Sequence, residues 1–290
     1  MSGTATHRED LYEVLTKRGH QIIPLIEDPH DFAYTYNLEV SAGAPSLLHI
    51  HNYDIGHLEP RLSPDKFYSV NSEFQKQQFY LLNNFDPGKI FVLSNYVNEK
   101  KYTPAYTPKK NKSIILLGRV QESNFDRIRT TILALQYLPE YTLDIVGWVS
   151  NTGKTLVRDL IKETGATNIH LIGELRGQEK IDFICSHEVG IGVGRAMMEM
   201  SLLGLPVLVY GHSWGGWVTP ELIDKLRFDN FSTRSLEKMG DEELVERILT
   251  HIKDPHLLNR AVAFEEFGLF HNVWRYESVF DKIVDTFVFF

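Results

Sequence analysis

Gly192-Val193-Gly194-Arg195-Ala196-Met197-Met198-Glu199-Met200-Ser201-Leu202-Leu203-Gly204-Leu205-Pro206-Val207-Leu208-Val209-Tyr210-Gly211 reads as loop, helix, stop and buried strand. The glycines open a turn, the Met and Leu residues suit a buried helix, and Gly204 with Pro206 ends it before the apolar run Val207 to Val209. Glu199 is the sole ionisable side chain of that helix after Arg195. A carboxylate among methionines and leucines costs several kcal/mol, on the order quoted for a buried unpaired charge, unless something hydrogen-bonds to it.

The loop has the makings of an anion site. Gly192 and Gly194 leave amides uncovered at a helix start, where the dipole favours negative charge, and Arg195 adds a planar cation suited to phosphate oxygens. One turn later Glu199 is placed to accept hydrogen bonds from neighbouring hydroxyls, as on a ribose. Phosphate at the helix mouth and ribose one turn in describes a nucleotide. A glycine turn packed on a sheet, with Glu199 tied to a core Arg or His, describes the same residues equally well.

A length of 290 residues accommodates two ordinary domains. The net charge of −8 provides no basic stripe to displace counterions, which argues against nucleic acid as the main partner. The single cysteine, Cys185, cannot form an intramolecular disulfide and reads as a small core residue in a reducing compartment. No apolar run approaches the roughly 20 residues of a membrane-spanning helix, and no secretory signal pattern opens the chain, so the expected location is cytoplasmic.

Outward from the opening stretch, strand and helix alternate. Ile114 to Leu117, Tyr141 to Gly147, Ile169 to Gly173 and Val189 to Ile191 read as strands, separated by helices over 126–138, 156–164 and 178–186, which predicts a parallel sheet with helices on both faces. Earlier, a helix through Leu11, Val14 and Leu15 stops at Arg18-Gly19-His20, and strands are expected at Gln21 to Ile26, Ser46 to Asn52, Phe67 to Val70 and Lys89 to Leu93, with a helix capped by Ser72. Residues 27–45 carry no clear pattern. The prolines and lysines of Tyr102 to Lys112 read as a linker, giving domains over 1–105 and 106–271, with a terminal helix over 272–290 docking back on the first.

In order and content these motifs resemble the retaining glycosyltransferases of the two-Rossmann-domain, or GT-B, architecture, in the large family of bacterial sugar-nucleotide-dependent enzymes. Gly118-Arg119 after a strand is similar to that family's diphosphate-binding Gly-Arg. Ile169 to Leu175 is similar to the strand and turn that hold the nucleobase through backbone groups, with Gly173 and Leu175 at its end. The opening stretch is similar to the donor-binding loop and helix, with Glu199 in the place of the carboxylate that grips ribose. His49-Ile50-His51 is similar to the strand end that faces the donor sugar. Gly215-Gly216 with Pro220-Glu221 resembles the family's glycine-rich turn and Pro-Glu. Two positions depart from the pattern. The Glu expected eight residues before Glu199 is Ile191, and the Lys expected five after Arg119 is Asn124.

The resemblance implies an α/β fold of two Rossmann-like domains facing across a cleft, the N-terminal one shortened. It implies a nucleoside diphosphate sugar as substrate and not as cofactor, a hydroxyl acceptor, and no metal, since Arg119, Arg195 and the helix N-terminus compensate the leaving diphosphate. His51 and Arg119 are the expected catalytic residues. Gly118, Arg119, Gly173, Leu175, Gly192, Gly194, Arg195 and Glu199 are the expected donor-binding set, with Gly3, Asn124 and Arg127 as further candidates. A non-catalytic nucleotide-binding homologue, or a subunit of an active transferase, is the alternative.

Overall fold

The computed structural model describes residues 3–21, 33–36, 46–50, 66–83, 85–104 and 109–288. In chain order its elements begin with α1 (Gly3–Lys17), β1 (Ala33–Tyr36), β2 (Ser46–Ile50), β3 (Phe67–Val70), α2 (Glu73–Asn83) and β4 (Ile90–Val92). There follow β5 (Ser113–Leu117), α3 (Phe125–Leu135), β6 (Thr142–Val146), α4 (Asn151–Thr164), β7 (Ile169–Gly173), α5 (Gly177–Cys185) and β8 (Val189–Gly192). The last are α6 (Arg195–Leu202), β9 (Val207–Tyr210), β10 (Trp214–Trp217), α7 (Pro220–Arg227), α8 (Asp241–Lys253), α9 (Arg260–Phe267), α10 (Leu269–Asn272) and α11 (Trp274–Val288). The chain divides into two compact units, one of Met1–Asn98, Arg227–Asn230 and Glu266–Phe290, the other of Glu99–Leu226 and Phe231–Glu265.

The first unit is built on a parallel sheet in the order β1-β2-β3-β4. β1 lies in the stretch where the sequence shows no clear pattern. A four-residue strand of Ala, Tyr and Thr is too short for its alternation to register. Leu11, Val14 and Leu15 of α1 recur at helical spacing and pack with Leu47 of β2 and with Tyr276 and Ile283 of α11 in one core cluster. Gly19, at φ 98°, ends α1 in a conformation that glycine adopts without strain. The strand expected at Gln21 to Ile26 falls almost entirely outside the described residues.

The second unit carries a six-stranded sheet in the order β10-β9-β8-β5-β6-β7, parallel except for β10. Chain order reverses between β5 and β8, the neighbours at which β5 first pairs outward to β6 and later to β8. In open parallel sheets such a reversal opens a crevice outside the carboxyl ends of the strands. β10 corrects the reading of Gly215-Gly216 as a turn. These glycines lie within an antiparallel strand on β9, where a Cβ at Gly215 would come within 3.1 Å of the Val209 Cβ, so small residues admit the close pairing.

Close approach also explains Gly147. It lies just beyond β6 at φ 144°, and a Cβ there would fall 2.0 Å from the Gly118 carbonyl oxygen, a fixed backbone atom that cannot yield cheaply. Gly147→Ala is therefore expected to destabilise the protein by about 1–3 kcal/mol, read as a lower urea midpoint in circular dichroism. A midpoint equal to that of the parent chain refutes the packing account.

Candidate functional site

Within the second unit, three neighbouring strands end on glycines of positive φ: Gly118 (158°) after β5, Gly147 (144°) after β6 and Gly173 (94°) at the end of β7. They are laced together across the sheet, with Gly118 N–H donating to the Val146 carbonyl (2.9 Å) and Gly147 N–H to the Gly173 carbonyl (2.8 Å). Arg119 follows on the exposed side of this edge.

Arg127, on the first turn of α3, is the least expected group here. It is 6% exposed, and an added Cβ at Gly118 would lie 2.8 Å from its Nη2. Its Nη1 donates a long hydrogen bond to the Tyr210 carbonyl (3.4 Å), while its buried Nε has no hydrogen-bond partner and no carboxylate pairs with it among the described residues. Burial, with the nearby charge of Arg119, lowers its pKa to about 10 against a smaller opposing effect of Tyr210. β8 lies between β9 and β5, so a guanidinium touching both Gly118 and Tyr210 lies across the carboxyl end of β8, where the glycine loop begins.

The loop itself corrects one expectation. The N–H of Gly194 is not open, because it donates to the Phe231 carbonyl (2.9 Å). Gly192 is buried, and a Cβ there would lie 2.7 Å from Met200 Cε, so its smallness lets α6 pack down on β8. No side chain caps α6, and the first-turn amides of Ala196 and Met197 have no acceptor among the described residues. Those two amides, rather than the glycine amides, are the open donors of the helix mouth.

Glu199 is 3% exposed and fully engaged by the protein. Its Oε1 accepts from the Tyr102 hydroxyl (2.7 Å) and Arg195 Nε (2.9 Å), and its Oε2 accepts from Lys180 Nζ (2.5 Å). Burial pushes the Glu199 carboxyl up, but the charges of Lys180 and Arg195 and the hydrogen bonds from Lys180 and Tyr102 outweigh it and hold the pKa below the ordinary glutamate value. Burial beside that carboxylate raises the Tyr102 hydroxyl far above its usual range. Neither Lys180 nor Tyr102 stands out in the sequence. Lys180 looks like a solvent-facing residue of an amphipathic helix, and Tyr102 lies in the presumed linker.

The other candidates scatter. Gly3 opens α1 in the first unit, and His51 lies outside the described residues. Its neighbour His49 is buried in β2 between Ser69 Oγ (2.9 Å) and Asn71 Oδ1 (3.1 Å), the surroundings of a satisfied core histidine. Asn124 precedes α3 and donates to the Arg119 carbonyl (3.4 Å). Arg129, two residues on from Arg127, instead pairs with Asp241 of α8 (2.8 Å) at the surface. Leu175 is half-buried just past Gly173. Ile191, where the resemblance calls for a glutamate, is buried in the core.

No protein-family model matches the chain, and no curated protein does either. Solved structures do match. AviGT4, a glycosyltransferase involved in avilamycin A biosynthesis, superposes with a TM-score of 0.69 at 13% identity, covering 98% of this chain and 91% of that one. The pneumococcal O-GlcNAc transferase GtfA, solved with UDP and GlcNAc, reaches 0.60 at 16% identity over 83% of this chain and 53% of its own. HepE from Anabaena, solved with UDP and glucose, reaches 0.52 at 16% identity over 83% and 72%. The fold is GT-B. Among the described residues the N-terminal sheet of this GT-B chain has four strands against six in the second.

The lowered pKa of Glu199 has a measurable consequence. A carboxyl held below its unfolded value of about 4.3 contributes stability that is complete above that pH and is lost as the pH falls through the folded value. Glu199→Gln should lower stability at pH 7 by about 3–5 kcal/mol, since it strands Lys180 and Arg195, and should flatten the acid limb of stability against pH. Urea midpoints between pH 3 and 7 that superimpose on those of the parent chain contradict this.

Proposed function

We propose that the protein transfers a sugar from a nucleoside diphosphate sugar to a hydroxyl acceptor, with retention at the anomeric carbon and without a metal ion. The observation that carries the reading is the buried guanidinium of Arg127, which has no counter-ion among the described residues and lies at the carboxyl end of β8 beside the chain-order reversal. Holding an uncompensated cation there costs several kcal/mol, and a bound diphosphate would recover that cost. Exposed Arg119 and the open amides of Ala196 and Met197 supply further donors for the same anion. As the bond from the anomeric carbon to the diphosphate breaks, negative charge grows on the leaving oxygens, and these fixed donors stabilise it.

The chain therefore supplies by arginine and amide the charge compensation that other transferases draw from a cation. Support for a nucleotide-sugar donor also comes from the UDP bound in GtfA and HepE. A second reading, a nucleotide-binding subunit without turnover, is favoured by Ile191. With its side chain in the core, that position offers no carboxylate to hold a hexose. GtfA is itself found in a GtfA/B complex. Calorimetry against UDP, GDP and ADP, followed by a donor-hydrolysis assay, separates the two: binding with turnover supports the transferase, and binding alone supports the subunit.

Arg127→Met is expected to weaken nucleoside diphosphate binding at least tenfold, about 1.4 kcal/mol, while the melting temperature of the ligand-free protein stays level or rises. An apolar side chain in place of an uncompensated buried charge is neutral or stabilising. A drop in melting temperature with binding intact assigns Arg127 to structure alone. Turnover should be unchanged by EDTA, and loss of activity with rescue by Mg²⁺ overturns the account of charge compensation.

A further inference from the structure

We propose that Trp148 is the surface on which the nucleobase of the donor stacks, with Arg119 beside it for the adjoining phosphate. The proposal rests on the nucleotide reading above and names the side chain that meets the base.

The pairing of β5 with β6 runs on past the two strands. Leu117 pairs with Val146 at the end of the ladder, and Val120 forms a further parallel bridge with Val149 at the same offset. The Val120 N–H donates to the Trp148 carbonyl (2.8 Å), and the Ser150 N–H to the Val120 carbonyl (2.9 Å). The constant offset sets Arg119 opposite Trp148.

Side chains on an extended chain alternate between faces, and the alternation can be followed here. Ile114, Leu116 and Val120, with Leu143, Ile145 and Val149, pack into the core cluster that α3, α4 and α8 complete. Arg119 and Trp148 each precede one of those inward valines and are exposed, Trp148 to 48%. They therefore lie on the opposite face. That face carries α6, because its Met200 sits where a Cβ of Gly190, the register partner of Ile115, would project. Arg119 and Trp148 thus share a face with the helix whose first amides are open.

Neither side chain is used by the protein. Arg119 forms no ion pair, and the Trp148 indole has no hydrogen bond or ring contact, among the described residues. An indole left half in water forgoes much of the apolar burial that such a large side chain supplies. Arg127, under Gly118, lies close enough to Arg119 for the two charges to repel. From the end of β8 across β5 to β6, strands about 4.8 Å apart, the carboxyl edge presents two guanidinium groups and then a flat aromatic face. Exposed Ile172 at the end of β7 extends the apolar surface on the next strand. A ligand that matches carries a multiply charged anion followed by a planar ring, which is the order of diphosphate and base in a nucleotide. A hexose is not planar and is attached to the other end of the diphosphate.

The test is isothermal titration of the full chain, of Trp148→Ala and of Trp148→Phe with UDP, GDP, ADP and inorganic pyrophosphate. For whichever nucleotide binds, Trp148→Ala should weaken binding about fivefold or more, whereas Trp148→Phe, which keeps a stacking face, should stay within about twofold. None of these ligands carries the donor sugar, so a loss cannot come from a sugar contact. Pyrophosphate has no base and should bind all three proteins alike. Saturating nucleotide should also quench the tryptophan emission of the parent chain more than that of Trp148→Phe. Unchanged nucleotide affinity in Trp148→Ala overturns the proposal and leaves the nucleotide reading intact. An equal loss for pyrophosphate overturns it too, since Trp148 would then support the phosphate edge and not the base. If none of the four ligands binds the parent chain, the nucleotide reading fails and this proposal falls with it.

Discussion

The carboxylate of Glu199 must be neutralised where it lies, among Met197, Met198 and Met200 on a helix packed against a sheet. That requirement places three segments far apart in the chain: the stretch before β5 through Tyr102, helix α5 through Lys180, and the mouth of α6 through Arg195. Breaking a buried pair of this kind costs about 3–5 kcal/mol, a large share of the stability of any domain. The register of α6 is set from beneath as well, where Met200 sits over the bare backbone of Gly190 and Gly192. The helix cannot shift along β8 without losing either its packing or its charge compensation.

Two buried charges in the same unit are treated in opposite ways. The anion Glu199 has two cationic partners, and the cation Arg127 has none among the described residues. Asp144 in the same unit is compensated as Glu199 is. Burial alone would raise the pKa of Asp144 on β6, but hydrogen bonds from His187, His170 and Lys110 hold it well below the usual carboxylate range. Arg127 therefore stands out against a fold that has the means to pair such groups. With the neighbouring Arg119 it puts two cations close together in a chain whose net charge is −8, an arrangement suited to drawing an anion to one place without making the whole surface basic.

Most of the second unit was legible in the sequence because buried parallel strands are continuous apolar runs and their helices are amphipathic. Ile114 to Leu117 and Val207 to Val209 declare themselves this way. The failures have local causes. β10 was hidden because Gly215-Gly216 has the composition of a turn, and only the closeness of Val209 explains why glycine is needed inside a strand. Gly192 and Gly194 advertised open amides, yet one glycine accommodates Met200 and the other spends its amide on Phe231. Arg127 could be named from sequence as a candidate, but no local pattern separates it from Arg129, two residues on. The rotation of α3 sends one under Gly118 and the other to Asp241 at the surface.

By itself, then, the sequence determined the elements of the second unit's parallel sheet, the close turns that end its strands, and the need for some partner to Glu199. Those follow from periodicity, backbone sterics and the cost of a buried charge, all of which act over a few residues. Tertiary structure alone decided who that partner is and which arginine has none among the described residues. Tyr102 and Lys180 lie 97 and 19 residues from Glu199 along the chain, and electrostatic compensation depends on distance in space, which no local pattern encodes.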